Sequence, residues 1–234
     1  DNSIVFGLER EDDQMGFNKD ATGRIDSNAY VTSQYFDYQS RLTQNLYATF
    51  GARFDEHSLA GDGSNEDSHR ATLAYISDDK STKFKSSYGT GYRFPSLYEM
   101  YYVYAANSQS LEFVKAENSK SFDIGFEKNY IDYGLTLDLT YFNIEYENVL
   151  EGWKNNNSSG AAYTTQNADG VVKSQGLEIM SGWRASDYLN FNLNYVFNYF
   201  KGKNKNIKTF LYSGMDFKVE KIFPRDLLNT FFED

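Results

Sequence analysis

Ser86–Ser119 reads SSYGTGYRFPSLYEMYYVYAANSQSLEFVKAENS, and this stretch decides how the rest of the chain is interpreted. It begins with the small alternating residues of a strand and passes into a tyrosine-rich run without charge between Glu99 and Glu112. It then returns as a strand. A connection this long and this aromatic is typical of functional loops. Because tyrosine joins a large apolar face to a polar tip, the run suits a wet binding surface better than a buried core.

The composition favours a membrane β-barrel over a soluble domain. Aromatic residues make up 18% of the 234 residues, yet the mean hydropathy is -0.64. No run approaches the ~18 apolar residues of a transmembrane helix. Many aromatics with low overall hydropathy are expected where only alternate residues meet lipid. The net charge of -10 argues against a nucleic-acid partner, and the absence of cysteine excludes disulfides and thiolate chemistry.

Residues alternate between apolar and polar along most of the chain, most cleanly over Leu189–Tyr199. The pattern predicts about ten strands, longer than those of soluble sheets. They lie near residues 3–11, 27–39, 44–57, 67–78, 82–92, 118–130, 133–149, 162–185, 188–201 and 222–233. Short turns are predicted at Ser40–Thr43, Asp78–Ser81, Asn129–Asp132 and Ala185–Asp187, and long loops at Asp12–Asp26, Ser58–Glu66, Tyr92–Glu117, Leu150–Ala161 and Gly202–Lys221.

Short turns on one side and long loops on the other predict an all-β, antiparallel transmembrane β-barrel of the outer membrane, with the long loops outside the cell. Aromatic residues near the strand ends fit interfacial girdles: Tyr30, Tyr92, Tyr141, Trp183 and Tyr188. An open sheet edge in lipid leaves backbone groups unpaired. Either the first and last strands pair with each other, or residues 1–234 are one partial barrel domain that continues at both ends.

Ser87–Tyr101 resembles the signature SYGTGFRAPSLYELY of TonB-dependent outer-membrane transporters, with Phe94 in place of alanine. Lys115–Ser119 resembles the end of the NPxLKPExS stretch that follows it in the family, with Ala116 in place of proline. Further matches follow the family order: Gly51–Asp55 (GxRxD), Tyr141 and Phe142 (YF), Asn167 with Gly176–Glu178 (N…GxE), and Phe223–Asn229 (RxPxH…N, with Asp226 where histidine is common).

The resemblance implies a middle-to-late segment of a plugged barrel of about 22 strands, without the plug, the TonB-contact segment and the last strands. The matches sit closest to the vitamin B12 branch, which implies cobalamin as the ligand. Siderophore receptors share enough of the signature to keep a ferric siderophore as the alternative. The implied partners are outer-membrane lipid, the ligand, and the TonB complex through the plug.

Seven residues are the ligand-binding candidates, because aromatic faces and amides match a large, partly apolar ligand. They are Tyr98, Tyr101, Tyr102, Tyr104 and Asn107 on one loop, and Trp153 and Tyr163 on the next. Five motif residues are predicted to be structural: Arg93, Pro95, Glu117, Gly176 and Glu178. Arg93 pins a strand end and Pro95 ends the ladder, while Ser96 and Glu99 have the spacing of a capping box over one helical turn, Ser96–Met100.

Two other classes of function remain open from the sequence. One is a passive porin, which the upstream sequence would distinguish by lacking a plug. The other is a ten-stranded outer-membrane protease using Asp55, His57, Asp67 and His69 at the rim. Acidic runs such as Glu11–Asp13 lack the spacing of a calcium loop. We therefore predict no metal, no cofactor and no catalytic residue, and the lack of a histidine between Arg93 and Leu111 counts against heme.

Overall fold

The computed structural model describes residues 2–19, 23–58, 65–100, 114–154, 163–202, 206–209 and 215–218. A short 3₁₀ turn, Ile131–Tyr133, follows the sixth strand. The strands are β1 (Asn2–Lys19), β2 (Gly23–Arg41), β3 (Leu46–His57), β4 (Asn65–Ile76), β5 (Thr82–Arg93), β6 (Glu117–Tyr130), β7 (Leu135–Glu147), β8 (Leu150–Lys154), β9 (Tyr163–Asn167), β10 (Val171–Ser186), β11 (Leu189–Lys201), β12 (Asn206–Thr209) and β13 (Met215–Lys218). Within these ranges, no helix has the length and apolar character needed to cross a membrane.

One antiparallel sheet contains most of the strands. Strands β1 to β7 each pair with the next, β7 then pairs with β10, and β10 pairs with β11. Both β12 and β13 pair with β11, while β8 and β9 form a separate two-stranded sheet. The order is an up-and-down meander, which is the connectivity of outer-membrane barrels. The predicted all-β antiparallel class is confirmed.

The sheet has one apolar face, which we define by side chains aligned across the strands. Ile124 pairs with Tyr141, Tyr141 with Leu177, and Leu177 with Phe197, so the four form one continuous line. Each is between 38% and 52% exposed. Phe36, Phe50, Phe54, Leu73 and Phe84 extend this exposed surface. So much apolar surface turned outward is costly in water and matches a lipid-facing wall.

The opposite, polar face carries ion pairs that link neighbouring strands. Lys85 Nζ lies 2.8 Å from both Glu127 Oε1 and Asp138 Oδ2. Arg70 Nη2 lies 2.6 Å from Asp37 Oδ2. Paired charges of this kind suit a polar barrel interior. They also oppose slippage of the strands, because a shift of one residue would move each charge to the lipid side.

All four predicted short turns are present at one end of the sheet. Gly134 closes the 3₁₀ turn with φ +58, and a Cβ there would lie 2.8 Å from the Arg184 carbonyl oxygen. Lys80 takes φ 57 in the turn between β4 and β5. The opposite end of the sheet, where the long connections lie, is called the long-loop end below.

The strands β1 and β2 extend much further than the sequence predicted. The loop expected at Asp12–Asp26 is wrong, because the hairpin remains paired up to Lys19 and Gly23. Backbone hydrogen bonds between β1 and β2 continue beyond the point where apolar and polar residues stop alternating. Ion pairs between residues two apart, such as Arg10 and Asp12, lie along this extension. A strand that has left the lipid no longer needs apolar residues on its outer side.

The prediction for residues 150–185 is also corrected. Leu150–Ala161 is not a simple loop, because β8 and β9 form a hairpin in which the backbone of Trp153 pairs with that of Thr164. The single strand expected over 162–185 is split into β9 and β10 at a turn where Gly170 has φ 97. Gly202–Lys221 likewise holds the short strands β12 and β13. The strand predicted at 222–233 lies outside the described residues.

Candidate ligand-binding rim

Three charged residues at the long-loop end form a connected group, here called the rim knot: Arg93, Glu99 and Glu117. Arg93 Nε donates to Glu117 Oε2 at 2.6 Å. Its two terminal nitrogens donate to the two Glu99 oxygens at 2.9 and 3.1 Å. A planar guanidinium that satisfies two carboxylates holds them in a fixed geometry. The knot therefore joins the last residue of β5 to the first residue of β6 and to the segment that follows β5.

That segment, Phe94–Met100, is called the outer segment. The predicted capping box is present: Glu99 N–H donates to Ser96 Oγ at 3.2 Å, and Ser96 N–H donates to Glu99 Oε2 at 2.8 Å. One helical turn follows, with Met100 N–H bonded to the Ser96 carbonyl. Glu99 thus serves the cap and the rim knot at once, so the fold of the outer segment depends on Arg93.

The outer segment packs onto β1–β3 on their polar face. Leu97 and Met100 are buried in one cluster with Ala29, and Met15 packs against it. The Phe94 ring lies 5.0 Å from the His57 ring and 5.4 Å from the Tyr92 ring. The segment is therefore folded over the inner wall at the long-loop end rather than projecting away from it. Its apolar side is buried, while Tyr98 is 55% exposed.

Two side chains, Glu117 of the rim knot and Asn167, tie the β8–β9 hairpin to the same rim. Glu117 Oε1 accepts a 2.6 Å hydrogen bond from Leu150 N–H. Asn167 holds the backbone of Lys115 from both sides, accepting from its N–H at 2.7 Å and donating to its carbonyl at 2.8 Å. It also donates to the Asn148 carbonyl at 2.7 Å. The two neighbouring long connections are thus linked at their bases.

A family model described as "TonB dependent receptor-like, beta-barrel" matches residues 5–223. The chain belongs to the TonB-dependent receptor β-barrel family. It is part of an outer-membrane β-barrel. A comparison with curated protein sequences finds no match.

Several solved structures share this fold. The siderophore receptor PirA from Pseudomonas aeruginosa superposes with a TM-score of 0.71 at 16% identity, over 86% of this chain and 39% of PirA. A mutant of the ferric enterobactin receptor PfeA from the same organism gives 0.66 at 20% identity, over 84% and 32%. The copper transporter OprC gives 0.68 at 11% identity, over 89% and 38%. The chain therefore spans well under half the length of these proteins.

The structure places the TonB-dependent receptor motif residues in two separate regions. Arg93, Pro95 and Glu117 meet at the rim, where Pro95 is buried. Gly176 and Glu178 lie in β10, on the polar face and away from the rim knot. The signature residues therefore lie in two separate parts of the structure, one group at the rim and the other within the wall, and their structural role stays a prediction.

Of the ligand-binding candidates, only part can be placed. Tyr98 is exposed on the outer segment, while Tyr101, Tyr102, Tyr104 and Asn107 lie outside the described residues. Trp153 and Tyr163 lie in β8 and β9 rather than in a loop. The ligand-binding role of all seven stays a prediction.

Sequence reasoning missed a polar cluster on β3. Arg53 contacts Asp55 and Glu9 at 2.9 Å each and Ser33 at 2.8 Å. Tyr92, predicted to lie in an aromatic girdle, is half-buried instead and its hydroxyl interacts with Asp55. The GxRxD pattern could have predicted this cluster, because residues two apart in a strand lie on one face and the pattern therefore places Arg53 beside Asp55.

The constellation considered for a protease does not come together. Asp55 and His57 are buried on the polar face, whereas Asp67 and His69 form an exposed pair at 3.4 Å on the opposite face. The sheet separates the two pairs, so they cannot act on one water molecule. In the described part of the chain, no group of three or more histidine, aspartate or glutamate side chains is arranged to hold a metal ion.

The rim knot predicts a pH dependence for the outer segment. Burial acts to raise the pKa of Glu99, but hydrogen bonds from Arg93 and Ser96 outweigh burial and hold the pKa below the ordinary value of a glutamate. The stabilisation is therefore complete above about pH 5 and is lost as the pH falls through the lowered value. Protection of the Leu97–Met100 amides against hydrogen exchange in the complete receptor, measured relative to the intrinsic exchange rate at each pH, should be high at neutral pH and should fall as the pH drops through the lowered pKa of Glu99.

Glu99→Gln provides the check on this prediction. The variant should exchange faster at neutral pH and lose most of the acid dependence, because the amide carries no charge to titrate. Glu147→Gln is the matched control, since Glu147 pairs with Lys120 at 3.3 Å on an exposed part of the rim. An acid transition that persists unchanged in Glu99→Gln would contradict the assignment.

Proposed function

We propose that this chain is the barrel segment of a TonB-dependent receptor that takes up a ferric siderophore through the outer membrane. The observation that carries the proposal is the aromatic outer segment, folded over the inner wall and fixed there by the rim knot. A ligand arriving from outside the cell would meet this surface first. The barrel supplies binding and passage, with no covalent step.

The chemistry of the rim fits such a ligand. Ferric siderophores are bulky, rich in oxygen and partly apolar, so aromatic faces with polar tips can cover them. Tyr98 presents a ring of this kind, and its helical turn is held by the capping box and the rim knot, which share the Glu99 carboxylate. A fixed aromatic side chain loses less conformational entropy on binding than a free one.

The similarity to solved structures supports the siderophore over cobalamin, which the sequence resemblance had favoured. PirA and PfeA are described as siderophore and ferric enterobactin receptors. Their identity to this chain is too low to transfer a particular ligand. The class of ligand, rather than a single compound, is what we propose.

The complete receptor would include a plug and would be driven by the TonB complex of the inner membrane. A concavity of about 1050 Å³ lies on the polar face at the short-turn end and is lined by residues such as Lys83, Glu127 and Asp138. It is remote from the outer segment, so we do not assign it to ligand capture.

Ligand binding by the complete receptor tests this function. Titration with a ferric siderophore should give a saturable quenching of tyrosine and tryptophan fluorescence, and cobalamin should give none. Tyr98→Ala should weaken the affinity about five- to tenfold, as expected for one aromatic contact. Tyr133→Ala is the matched control, because Tyr133 is exposed at the short-turn end.

The outcomes distinguish the alternatives. Saturable quenching by cobalamin, with none by a ferric siderophore, would assign cobalamin as the ligand and contradict the proposal. Uptake that continues after the proton-motive force is collapsed would identify a passive porin. If Tyr98→Ala and Tyr133→Ala changed the siderophore affinity equally, the outer segment would not be part of the binding surface.

A further inference from the structure

We propose that Lys120, Lys173 and Lys201 bind phosphorylated headgroups of the glycolipid in the outer leaflet. These three residues are called the lysine row. Lys120 pairs with Glu145, Glu145 with Lys173, and Lys173 with Lys201. Directly paired residues point to the same face. The three ammonium groups are therefore aligned across β6, β7, β10 and β11.

The lysine row lies on the apolar face, beyond the lipid-facing residues. Lys120, Lys173 and Lys201 are each four residues from Ile124, Leu177 and Phe197, respectively, toward the long-loop end. Four residues span about 13 Å along a strand. With the usual tilt of barrel strands this is about 10 Å of height above that apolar line. Such a position corresponds to the headgroup level of the outer leaflet.

Positive charge is in excess at this place, although the chain as a whole carries -10. Lys173 is paired with Glu145, and Lys120 is paired with Glu147 at 3.3 Å. Lys201 is exposed and has no ion pair with any residue that the structure describes. On β1–β4 of the same face, Arg10 and Arg24 are each matched by one aspartate, Asp12 and Asp26, so no such excess exists there.

The existing ion pairs leave the lysines available. The side chains of Lys120 and Lys173 are 55% and 47% exposed, and exposed ion pairs of this kind contribute little free energy. A phosphate with two negative charges can therefore replace or share the carboxylate partners. Lys173 and Lys201 lie on adjacent strands, and Lys120 lies about 10 Å from Lys173. A headgroup with two phosphates can reach both positions.

The experiment measures lipid binding to the complete receptor in phosphatidylcholine nanodiscs by native mass spectrometry. The probes are lipid A with two phosphates and its dephosphorylated form. Lys173→Gln/Lys201→Gln should weaken binding of the phosphorylated probe about 25-fold, at roughly fivefold for each lysine at a membrane surface. The matched control is Arg10→Gln/Arg24→Gln, which removes the same charge from the same face. It should change the affinity for the phosphorylated probe by less than about twofold.

The arms of the test separate the possible results. Lys173→Arg/Lys201→Arg should retain binding, and inorganic pyrophosphate at millimolar concentration should not displace the lipid. Displacement by pyrophosphate would identify a site for free phosphate and overturn the lipid assignment. The proposal also fails if dephosphorylated lipid A binds as tightly as the phosphorylated form. It fails likewise if Lys173→Gln/Lys201→Gln and Arg10→Gln/Arg24→Gln weaken binding of phosphorylated lipid A by the same factor.

Discussion

Gly176→Ala is expected to destabilise the barrel by about 3 kcal/mol, the upper part of the range for overpacking a tight site. A Cβ at this position would lie 2.1 Å from the Phe197 carbonyl oxygen and 2.6 Å from Cζ of Phe142. The ring could rotate, but the carbonyl belongs to the backbone of β11. Because that strand is paired with β10 along its length, relief requires a shift of the ladder. The effect should appear as a lower urea midpoint for unfolding of the complete receptor in detergent.

Gly89→Ala is the matched control for this substitution. Gly89 also lies within a long strand, but a Cβ there meets nothing closer than 3.6 Å. We expect a change below about 0.5 kcal/mol, since alanine also suits a strand better than glycine does. The explanation by steric contact is wrong if Gly89→Ala and Gly176→Ala lower the midpoint equally.

Arg93→Met is expected to release the outer segment without unfolding the barrel. The substitution leaves Glu99 and Glu117 without their shared cation, with side chains only 24% and 21% exposed. Arg93 itself is half exposed, so we expect its loss to lower the free energy of opening of the outer segment by about 1.4 kcal/mol. This is well below the cost of breaking a fully buried ion pair. This corresponds to about a tenfold increase in the open population of the outer segment. Proteolytic cleavage within residues 94–100 should accelerate by the same factor.

The siderophore affinity should fall by a smaller factor than cleavage rises, because the apparent affinity scales with the fraction of receptor in the competent form, whereas cleavage scales with the open fraction. Arg10→Met is the matched control. Arg10 pairs with Asp12 at 3.0 Å, but both side chains are more than half exposed. Its replacement should leave cleavage and affinity unchanged within about twofold. Cleavage as slow in Arg93→Met as in the parent protein would show that the packing of Leu97 and Met100 alone holds the segment.

The sequence indicated the sheet well because lipid imposes a strict rule on it. Where a strand crosses the membrane, alternate side chains must be apolar, and Leu189–Tyr199 shows the alternation directly. The short turns were predictable for the same reason, since each interrupts two such patterns. Above the lipid this rule no longer applies. The extension of β1 to Lys19 and the β8–β9 hairpin therefore have no clear period in the sequence.

The rim was only partly predictable. The capping box follows from local spacing, because Ser96 and Glu99 are three residues apart. The bond from Arg93 to Glu117 joins residues 24 apart, and the bonds from Asn167 to Lys115 join residues 52 apart. Neither separation has a sequence signature of its own. Tyr92 was misplaced for a similar reason, since its neighbour Asp55 comes from another strand.

The most direct test of the account uses introduced cysteines, because this chain has none of its own. Tyr98→Cys lies on the outer segment, and Asp132→Cys lies at an exposed turn of the opposite end. In intact cells, a membrane-impermeant thiol reagent should label the receptor carrying Tyr98→Cys but not the one carrying Asp132→Cys. A ferric siderophore should protect the first position, and cobalamin should not. Labelling of Asp132→Cys alone would contradict the orientation, and labelling of Tyr98→Cys that no ferric siderophore slows would contradict the proposed function.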